Sequence, residues 1–266
     1  MPLESRAGHP TFWRSFGSGP RPALAIHCSL ASSNAWEGVA GRLADRLTLT
    51  AFDLPGHGRS GDWRGEGDYL GLATRIAASF VDRPVDLLGH SYGGLVALRL
   101  AIAAPEAVRT LTLIEPVLFA ATRGTPEWEA YLAAERPFRD ALAEGDREAA
   151  ARHFMAIWGT GEDWERLDPK SRLRLAERIP LILAGDPATR EDAGGLLAPD
   201  ALESLDMPVL VIRGAASPPI IERVAENIAA RLPDVGIATV PGAGHMVPIT
   251  HPDQTAGLIG VNLDRG

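Results

Sequence analysis

The 266-residue chain is poor in cysteine and in long apolar runs, and each shortage excludes a class of protein. Its one cysteine, Cys28, cannot form an intrachain disulfide, and a cluster of thiolate ligands around a metal ion is excluded. No run reaches the roughly 18 uncharged apolar residues of a membrane span, and the amino terminus lacks the apolar core of a secretory signal. We therefore expect a cytoplasmic protein.

Positive charge is also scarce. The chain has 26 Lys and Arg residues, among which Lys170 is the only lysine, and 34 Asp and Glu residues. Its net charge is therefore −8. A negative surface repels phosphate backbones and anionic lipids, which argues against nucleic-acid and membrane partners. A small-molecule substrate is the expected partner, and the sequence leaves the oligomeric state open.

Short β-type runs alternate with helical stretches along most of the chain. Strands are predicted at 10–16, 23–29, 47–53, 85–90, 110–116, 208–214 and 235–242. Helices are predicted near 34–46, 68–81, 91–104, 219–232 and 252–263. This alternation predicts an α/β fold, with a mostly parallel central sheet and helices on both faces.

Residues 120–202 show only helical patterns, at 127–145, 147–159 and 171–185, separated by Gly, Asp and Pro. We expect this segment to be an inserted helical cap over a core formed by residues 1–119 and 203–266. The segment is rich in aromatic residues, which would either line an apolar pocket or pack the cap onto the core. It shows no basic cluster of the kind that binds phosphate.

The strongest motif is Gly89-His90-Ser91-Tyr92-Gly93, which lies between a buried strand and a helix. This arrangement is typical of a nucleophile elbow, in which a strained turn lifts the serine hydroxyl above the sheet. Glycines two residues to either side leave room for the close approach of strand and helix. Ser91 is therefore the predicted nucleophile.

With this motif the sequence resembles the α/β-hydrolase fold superfamily, over nearly all of the chain outside the helical segment. His27-Cys28-Ser29-Leu30 resembles the oxyanion loop of that family, and the resemblance implies that the backbone N–H groups of Ser29 and Tyr92 bind the oxyanion. Cys28 stands where the family usually has glycine. Either the backbone there tolerates a side chain, or the loop is altered.

Two further motifs follow in the family's order. The turn-rich segment from Asp53 to Ser60 matches a family loop, and its Gly and Pro density indicates a structural role. His245, on a Gly-rich loop after the last predicted strand, matches the catalytic histidine. An imidazole there can take the proton of Ser91 and pass it to the leaving group.

The acid of the triad departs from the commonest pattern of the family. Where many members carry an aspartate after the strand at 208–214, this chain has Ser217, which cannot carry the negative charge that stabilises imidazolium. Glu115, at the carboxyl end of an earlier strand, is the predicted replacement, and a subset of the superfamily has a similar placement. A dyad in which Ser217 or water orients His245 is the alternative.

These residues predict a serine hydrolase that cleaves a small, rather apolar carboxylic ester, lactone or thioester through an acyl-enzyme, without a metal or a cofactor. Candidate pocket residues are His90, Leu30, Trp158 and Met246. Hydrolysis of a carbon–carbon bond in a ring-cleavage product would use the same triad. A ligand-binding sensor that retains the hydrolase site is a third reading, because the fold hosts several functions.

Overall fold

The central element of the computed structural model, which describes residues 3–65 and 67–266, is an eight-stranded sheet. The strands are β1 (Leu3–Arg6), β2 (His9–Phe16), β3 (Arg21–Ile26), β4 (Leu47–Phe52), β5 (Val85–His90), β6 (Val108–Ile114), β7 (Val209–Gly214) and β8 (Val235–Val240). Their order in the sheet is β1-β2-β4-β3-β5-β6-β7-β8. The pairs β1/β2 and β2/β4 are antiparallel, and all other neighbours are parallel.

The helices cover both faces of this sheet. They are α1 (Glu37–Arg42), α2 (Tyr69–Ala78), α3 (Tyr92–Ala103), α4 (Pro126–Ala143), α5 (Arg147–Trp158), α6 (Pro169–Arg178), α7 (Leu181–Glu191), α8 (Pro219–Ala229), α9 (Val247–Thr250) and α10 (Pro252–Leu263). Helices α2, α3 and α8 pack on one face, and α1 and α10 pack on the other. The α/β fold expected from the sequence is confirmed.

The central strands are buried along almost their whole length because helices exclude water from both of their sides. All six residues of β5 are buried, and six of the seven in β6. At their carboxyl ends, these two neighbouring strands lead directly into Ser91 and Glu115. The sheet therefore brings the predicted nucleophile and the predicted acid to the same edge.

Two of the differences between the structure and the predicted elements have a clear cause in the backbone. Strand β1 was not predicted, and it forms a hairpin with β2 through the two-residue turn Ala7-Gly8, where both residues have positive φ. The helix predicted over 171–185 is divided at Pro180 into α6 and α7, since proline cannot donate the backbone hydrogen bond of a continuing helix.

Helices α4 to α7 all lie between β6 and β7 in the chain, in the segment 120–202 that the sequence marks as helical. Side chains of these helices and of the connections between them form a third apolar cluster that includes Phe138, Trp164 and Ile179. Among the described residues, none of the helices is long and apolar enough to cross a membrane.

Candidate active site

Ser91 lies in a sharp turn between β5 and α3. Its backbone has φ 56° and ψ −119°, an unusual conformation for a residue with a side chain, and its N–H donates to the Ile114 carbonyl at 2.8 Å. A Cβ on Gly89 would lie 2.4 Å from the Gly93 carbonyl oxygen, and one on Gly93 would lie 2.2 Å from the Ile26 carbonyl oxygen. Only glycine fits at these two positions.

Three side chains from different elements form a continuous hydrogen-bonded chain. Ser91 Oγ lies 2.9 Å from His245 Nε2, and His245 Nδ1 lies 2.9 Å from Glu115 Oε2. All three residues are buried. Because a carboxylate only accepts, Nδ1 carries the proton of that contact, and Nε2 faces the serine hydroxyl.

The Glu115 carboxylate is held from two sides. Its Oε2 accepts from His245, while its Oε1 accepts from the Gly214 N–H at 2.6 Å. The Glu115 backbone has φ 52°, and its N–H donates to the Ile212 carbonyl at 2.8 Å. Strands β6 and β7 thus fix the carboxylate beneath the imidazole.

Ser217 takes no part in this hydrogen-bonded chain. Its Oγ is buried and has no hydrogen-bond partner within residues 3–65 and 67–266. The geometry therefore favours Glu115 over Ser217 as the group that orients His245.

Ser29, in the loop after β3, lines one cavity together with Ser91 and Tyr92. Tyr92 is the first residue of α3, so its N–H has no partner within the helix. The loop is held by neutral His27, whose Nδ1 lies 2.7 Å from the Cys28 carbonyl oxygen and whose Nε2 accepts from the Leu54 N–H.

Cys28 needs no glycine-like backbone in this loop, because the residue with positive φ is Leu30, at 62°. The Cys28 side chain is buried, and burial raises the pKa of its thiol to about 12. The thiol therefore stays protonated at neutral pH and is a poor nucleophile. Of the two alternatives for this position, the structure has a backbone that tolerates a side chain.

The segment from Asp53 to Ser60 forms turns and lies outside the cavity. The Asp53 carboxylate accepts from the Ser33 N–H at 2.6 Å and from the Arg59 N–H at 2.8 Å. His57 is buried, which lowers its pKa to about 3, and its Nδ1 lies 2.9 Å from the Pro55 carbonyl oxygen. Both side chains are engaged in holding the backbone of these turns.

The cavity lies between the sheet edge and the helical segment and encloses about 740 Å³ of space free of atoms, its open mouth included. Leu30, Trp158 and Met246 line it. The Trp158 ring meets the His245 ring edge-on, with centroids 4.9 Å apart. His90, also expected in the pocket, is not part of the lining: its ring turns into the protein and contacts the backbone carbonyl of His245.

Sequence reasoning missed the charged residues of the cavity wall. Glu135 on α4 and Asp186 on α7 line it, and both pair with Arg139 at 2.9 Å and 2.7 Å. The Arg139–Asp186 pair joins residues 47 positions apart in the chain, so no local pattern indicates it. Within residues 3–65 and 67–266, no three His, Cys, Asp or Glu side chains are grouped so that they could hold a metal ion.

Helix α6 is rich in basic residues and borders a groove that adjoins the cavity. Helix α6 carries Lys170, Arg172, Arg174 and Arg178 with one acid, Glu177. Arg174 and Arg178 line a surface groove that shares Leu30 and Ala31 with the cavity. Four of the ten residues of α6 are thus basic, although the chain as a whole has a net charge of −8.

Comparison with known proteins agrees with this architecture. Residues 23–258 match the model of the Alpha/beta hydrolase family. The chain is 32% identical to a pimeloyl-[acyl-carrier protein] methyl ester esterase from Methylococcus capsulatus, over 93% of this chain and 96% of that protein.

Solved structures show the same fold at lower identity. A bromoperoxidase from Bacillus anthracis superposes with a TM-score of 0.78 at 19% identity, over 96% of each chain. A thermophilic esterase from Thermogutta terrifontis superposes with a TM-score of 0.73 at 23% identity, over 98% of this chain and 96% of that one. The protein belongs to the alpha/beta hydrolase family.

Proposed function

We propose that this protein is a serine hydrolase that cleaves small, rather apolar carboxylic esters through an acyl-enzyme. The observation that carries the proposal is the hydrogen-bonded chain from Ser91 Oγ through His245 to Glu115. The esterase names of relatives such as the Methylococcus capsulatus protein support it. The cavity that holds Ser91 supports it too, because most of its lining side chains are apolar.

In the proposed reaction, Ser91 Oγ attacks the ester carbonyl carbon while its proton moves to His245 Nε2. The carbonyl oxygen becomes an oxyanion and receives hydrogen bonds from the Ser29 and Tyr92 N–H groups. His245 then protonates the departing alkoxide, which leaves an acyl group on Ser91. A water molecule, activated by His245, attacks this acyl group in the same way and releases the acid.

Glu115 acts in this scheme by holding the proton on Nδ1, so that Nε2 is free to accept from Ser91. Its negative charge stabilises the imidazolium that forms at each proton transfer. The Gly214 N–H keeps the carboxylate from rotating away, since it binds the second oxygen.

We further propose that residues 120–202 act as a cap over the site. Trp158 contacts His245, and other side chains of α5 to α7, among them Phe154 and Ile182, line the cavity above Ser91. A closed apolar roof would exclude bulk water from the ester and strengthen the oxyanion hydrogen bonds. Leu30 and Met246 would then contact the substrate from the core side.

A carrier-linked ester is a second candidate substrate, favoured by the basic helix α6. The Methylococcus capsulatus relative is named for a methyl ester on an acyl-carrier protein. Arg174 and Arg178 lie in the groove at the cavity mouth and form no ion pair with the described residues, so they would attract a negatively charged carrier surface.

The carrier proposal is tested by salt dependence. We expect kcat/KM for a carrier-linked methyl ester to fall with rising ionic strength and in Arg174→Ala, while turnover of a free p-nitrophenyl ester changes little. Arg83→Ala, which removes an exposed arginine near the opposite edge of the sheet, is the matched control. Equal losses for both esters in Arg174→Ala would contradict a carrier contact.

The hydrolase proposal is tested by labelling and turnover together. A fluorophosphonate probe should label the wild type and not Ser91→Ala, and the wild type should release p-nitrophenol over many cycles. Labelling with one equivalent of product and no further turnover would instead indicate a sensor. Cleavage of a ring-cleavage diketone with no ester turnover would indicate a carbon–carbon hydrolase.

A further inference from the structure

His90 is a buried titratable residue that the proposed reaction does not use. It ends β5, directly before Ser91, and its side chain is almost completely shielded from solvent. Its ring lies beside the His245 ring with centroids 5.4 Å apart, on the side away from the cavity. A polar ring in this position needs a structural or functional reason, because burial of an imidazole is costly without a hydrogen-bond partner.

The partner is the backbone carbonyl of His245. His90 Nε2 lies 2.9 Å from that oxygen, and because a carbonyl only accepts, Nε2 carries the proton. Burial lowers the pKa of His90 to about 3, so the ring is neutral at physiological pH and the direction of this hydrogen bond is fixed.

The loop that carries His245 lies against the backbone of Gly214 in β7, where a Cβ would lie 2.3 Å from the Ala243 carbonyl oxygen, but its own glycines have open space beside them. A Cβ on Gly242 or on Gly244 would meet nothing within 4 Å, so no side chain packs there. On the amino side the Ala243 carbonyl accepts from the Ala216 N–H at 2.8 Å, and beyond the loop Met246 starts the bonds of α9. The hydrogen bond from His90 joins the loop to β5 between these two anchors.

We propose that His90 is a positioning residue that holds the peptide after His245, and with it the imidazole, in line with the Ser91 hydroxyl. His90 and Ser91 are consecutive residues of one rigid strand end, so the nucleophile and the support of its base move together. The inference rests on the proposed hydrolase function.

Position matters here because the His245 ring must serve two partners at once and transfer a proton in each half of the reaction. Its Nδ1 and Nε2 contacts are both 2.9 Å, with little slack on either side. A displacement of about 1 Å at a reacting group lowers turnover by about 100-fold in enzymes generally. Loss of the hydrogen bond from His90 would leave the peptide after His245 without its link to β5 and would allow such a displacement.

The test compares two amide substitutions that differ by one methylene. In His90→Gln the amide nitrogen takes the place of Nε2 and can still donate to the His245 carbonyl. In His90→Asn the nitrogen takes the place of Nδ1 and falls short. Asn262→Leu is the matched control, since Asn262 is buried in α10 and donates to the Leu111 carbonyl at 3.0 Å, away from the site.

We expect His90→Gln to keep kcat within about threefold of wild type and His90→Asn to lose about 10- to 100-fold, with KM changed less than about threefold in both. Asn262→Leu should lower the melting temperature at least as much as His90→Asn and leave kcat near wild type. Equal kcat in the two His90 variants would overturn the proposal. So would a loss of kcat in Asn262→Leu that matches the loss in His90→Asn.

A second readout does not depend on turnover. The low-field proton resonance of the Nδ1–H between His245 and Glu115 should persist in His90→Gln and broaden or vanish in His90→Asn. If the wild type cleaves no ester but the resonance follows this pattern, the proposed function fails and the role of His90 stands. If the wild type is active and the resonance is unchanged in His90→Asn, the positioning role fails alone.

Discussion

At the scale of single residues, Glu115 carries the sharpest expectation. We expect Glu115→Gln to lower kcat by about 100- to 10,000-fold, because an amide nitrogen facing Nδ1 cannot accept its proton and favours the wrong tautomer of His245. The fold should survive, since the amide oxygen can still accept from the Gly214 N–H. Ester turnover together with a circular-dichroism melt measures both.

Near-normal turnover in Glu115→Gln would mean that Glu115 is not the acid of the triad. The alternative in which Ser217 or water orients His245 would then be preferred. Ser91→Ala gives the background rate of ester turnover for this comparison, because it removes the nucleophile and leaves the buried environment intact.

Residue-level prediction from sequence works where a motif has a local mechanical cause. Ser91 and its glycines form such a motif, and His245 follows from its loop and chain order. The bond from Gly214 to Glu115 joins residues 99 positions apart, and the bond from His90 to the His245 carbonyl joins residues 155 positions apart. Contacts of this kind depend on tertiary packing, which no local pattern specifies. For this reason the sequence predicts His90 in the pocket wall, whereas its ring contacts the His245 carbonyl.

At the scale of elements, the β1–β2 hairpin has a turn that its sequence does not favour. Ala7 and Gly8 both have positive φ, as a two-residue hairpin turn requires, and alanine is poorly suited to that conformation. Asn-Gly and Asp-Gly are the usual signals for such a turn. Because neither pair is present, the sequence gives no signal for β1. The other strands are predicted from their apolar or alternating patterns.

Ala7→Asn should therefore stabilise the hairpin by about 1 kcal/mol, because asparagine tolerates the left-handed conformation better. Ala7 is exposed, so no packing is lost. Hydrogen–deuterium exchange of Leu3–Arg6 should slow in this variant. Faster exchange in that strand would show that the turn is limited by something other than the backbone conformation of Ala7.

The helix α5 supplies the second expectation at this scale, through Trp158 at its carboxyl end. Replacement by alanine opens space between α5 and His245, where the rings now meet at 4.9 Å. We expect Trp158→Ala to shift the preferred acyl chain of p-nitrophenyl esters toward longer chains, by several methylenes. An unchanged chain-length profile of kcat/KM would place the acyl group elsewhere in the cavity.

At the scale of the whole molecule, the edge of the sheet opposite the site is held by a buried carboxylate. Asp86 in β5 is fully buried and accepts from Arg21 in β3, Arg109 in β6 and the Thr110 hydroxyl. Burial alone would raise the pKa of Asp86, but these hydrogen bonds outweigh it and hold the pKa below its usual range. Three adjacent strands are thereby tied together at their amino ends.

Asp86→Asn should lower the free energy of unfolding by about 3 kcal/mol at pH 7, because it leaves two arginines without their buried partner. A folded-state pKa below the unfolded value, about 3.9, means that the stabilisation is present above that pH and is lost as the pH falls through the folded-state pKa. Urea unfolding at pH 7 and pH 3 should therefore show a smaller difference from wild type at the lower pH. A difference that grows toward pH 3 would contradict this assignment.

The overall architecture was the part most accessible from sequence. Buried strands alternate with amphipathic helices, which gives a parallel sheet covered on both faces, and the elbow motif marks its carboxyl edge. The division at Pro180 and the basic surface of α6 were not recovered. Pro180 is a local signal for the first, whereas the position of α6 beside the cavity depends on tertiary packing, about which the alternation of the core carries no information.

Leu30, Ser91 and Glu115 all have a positive φ, which ordinary side chains disfavour, and all three lie at the site. Each costs roughly 1–3 kcal/mol of folding stability. Mutants selected for heat resistance alone would therefore collect substitutions at these positions that relax the backbone and erode the hydrolase. Laboratory evolution of a more thermostable variant should therefore include a screen for ester turnover in every round, or keep these three residues unchanged.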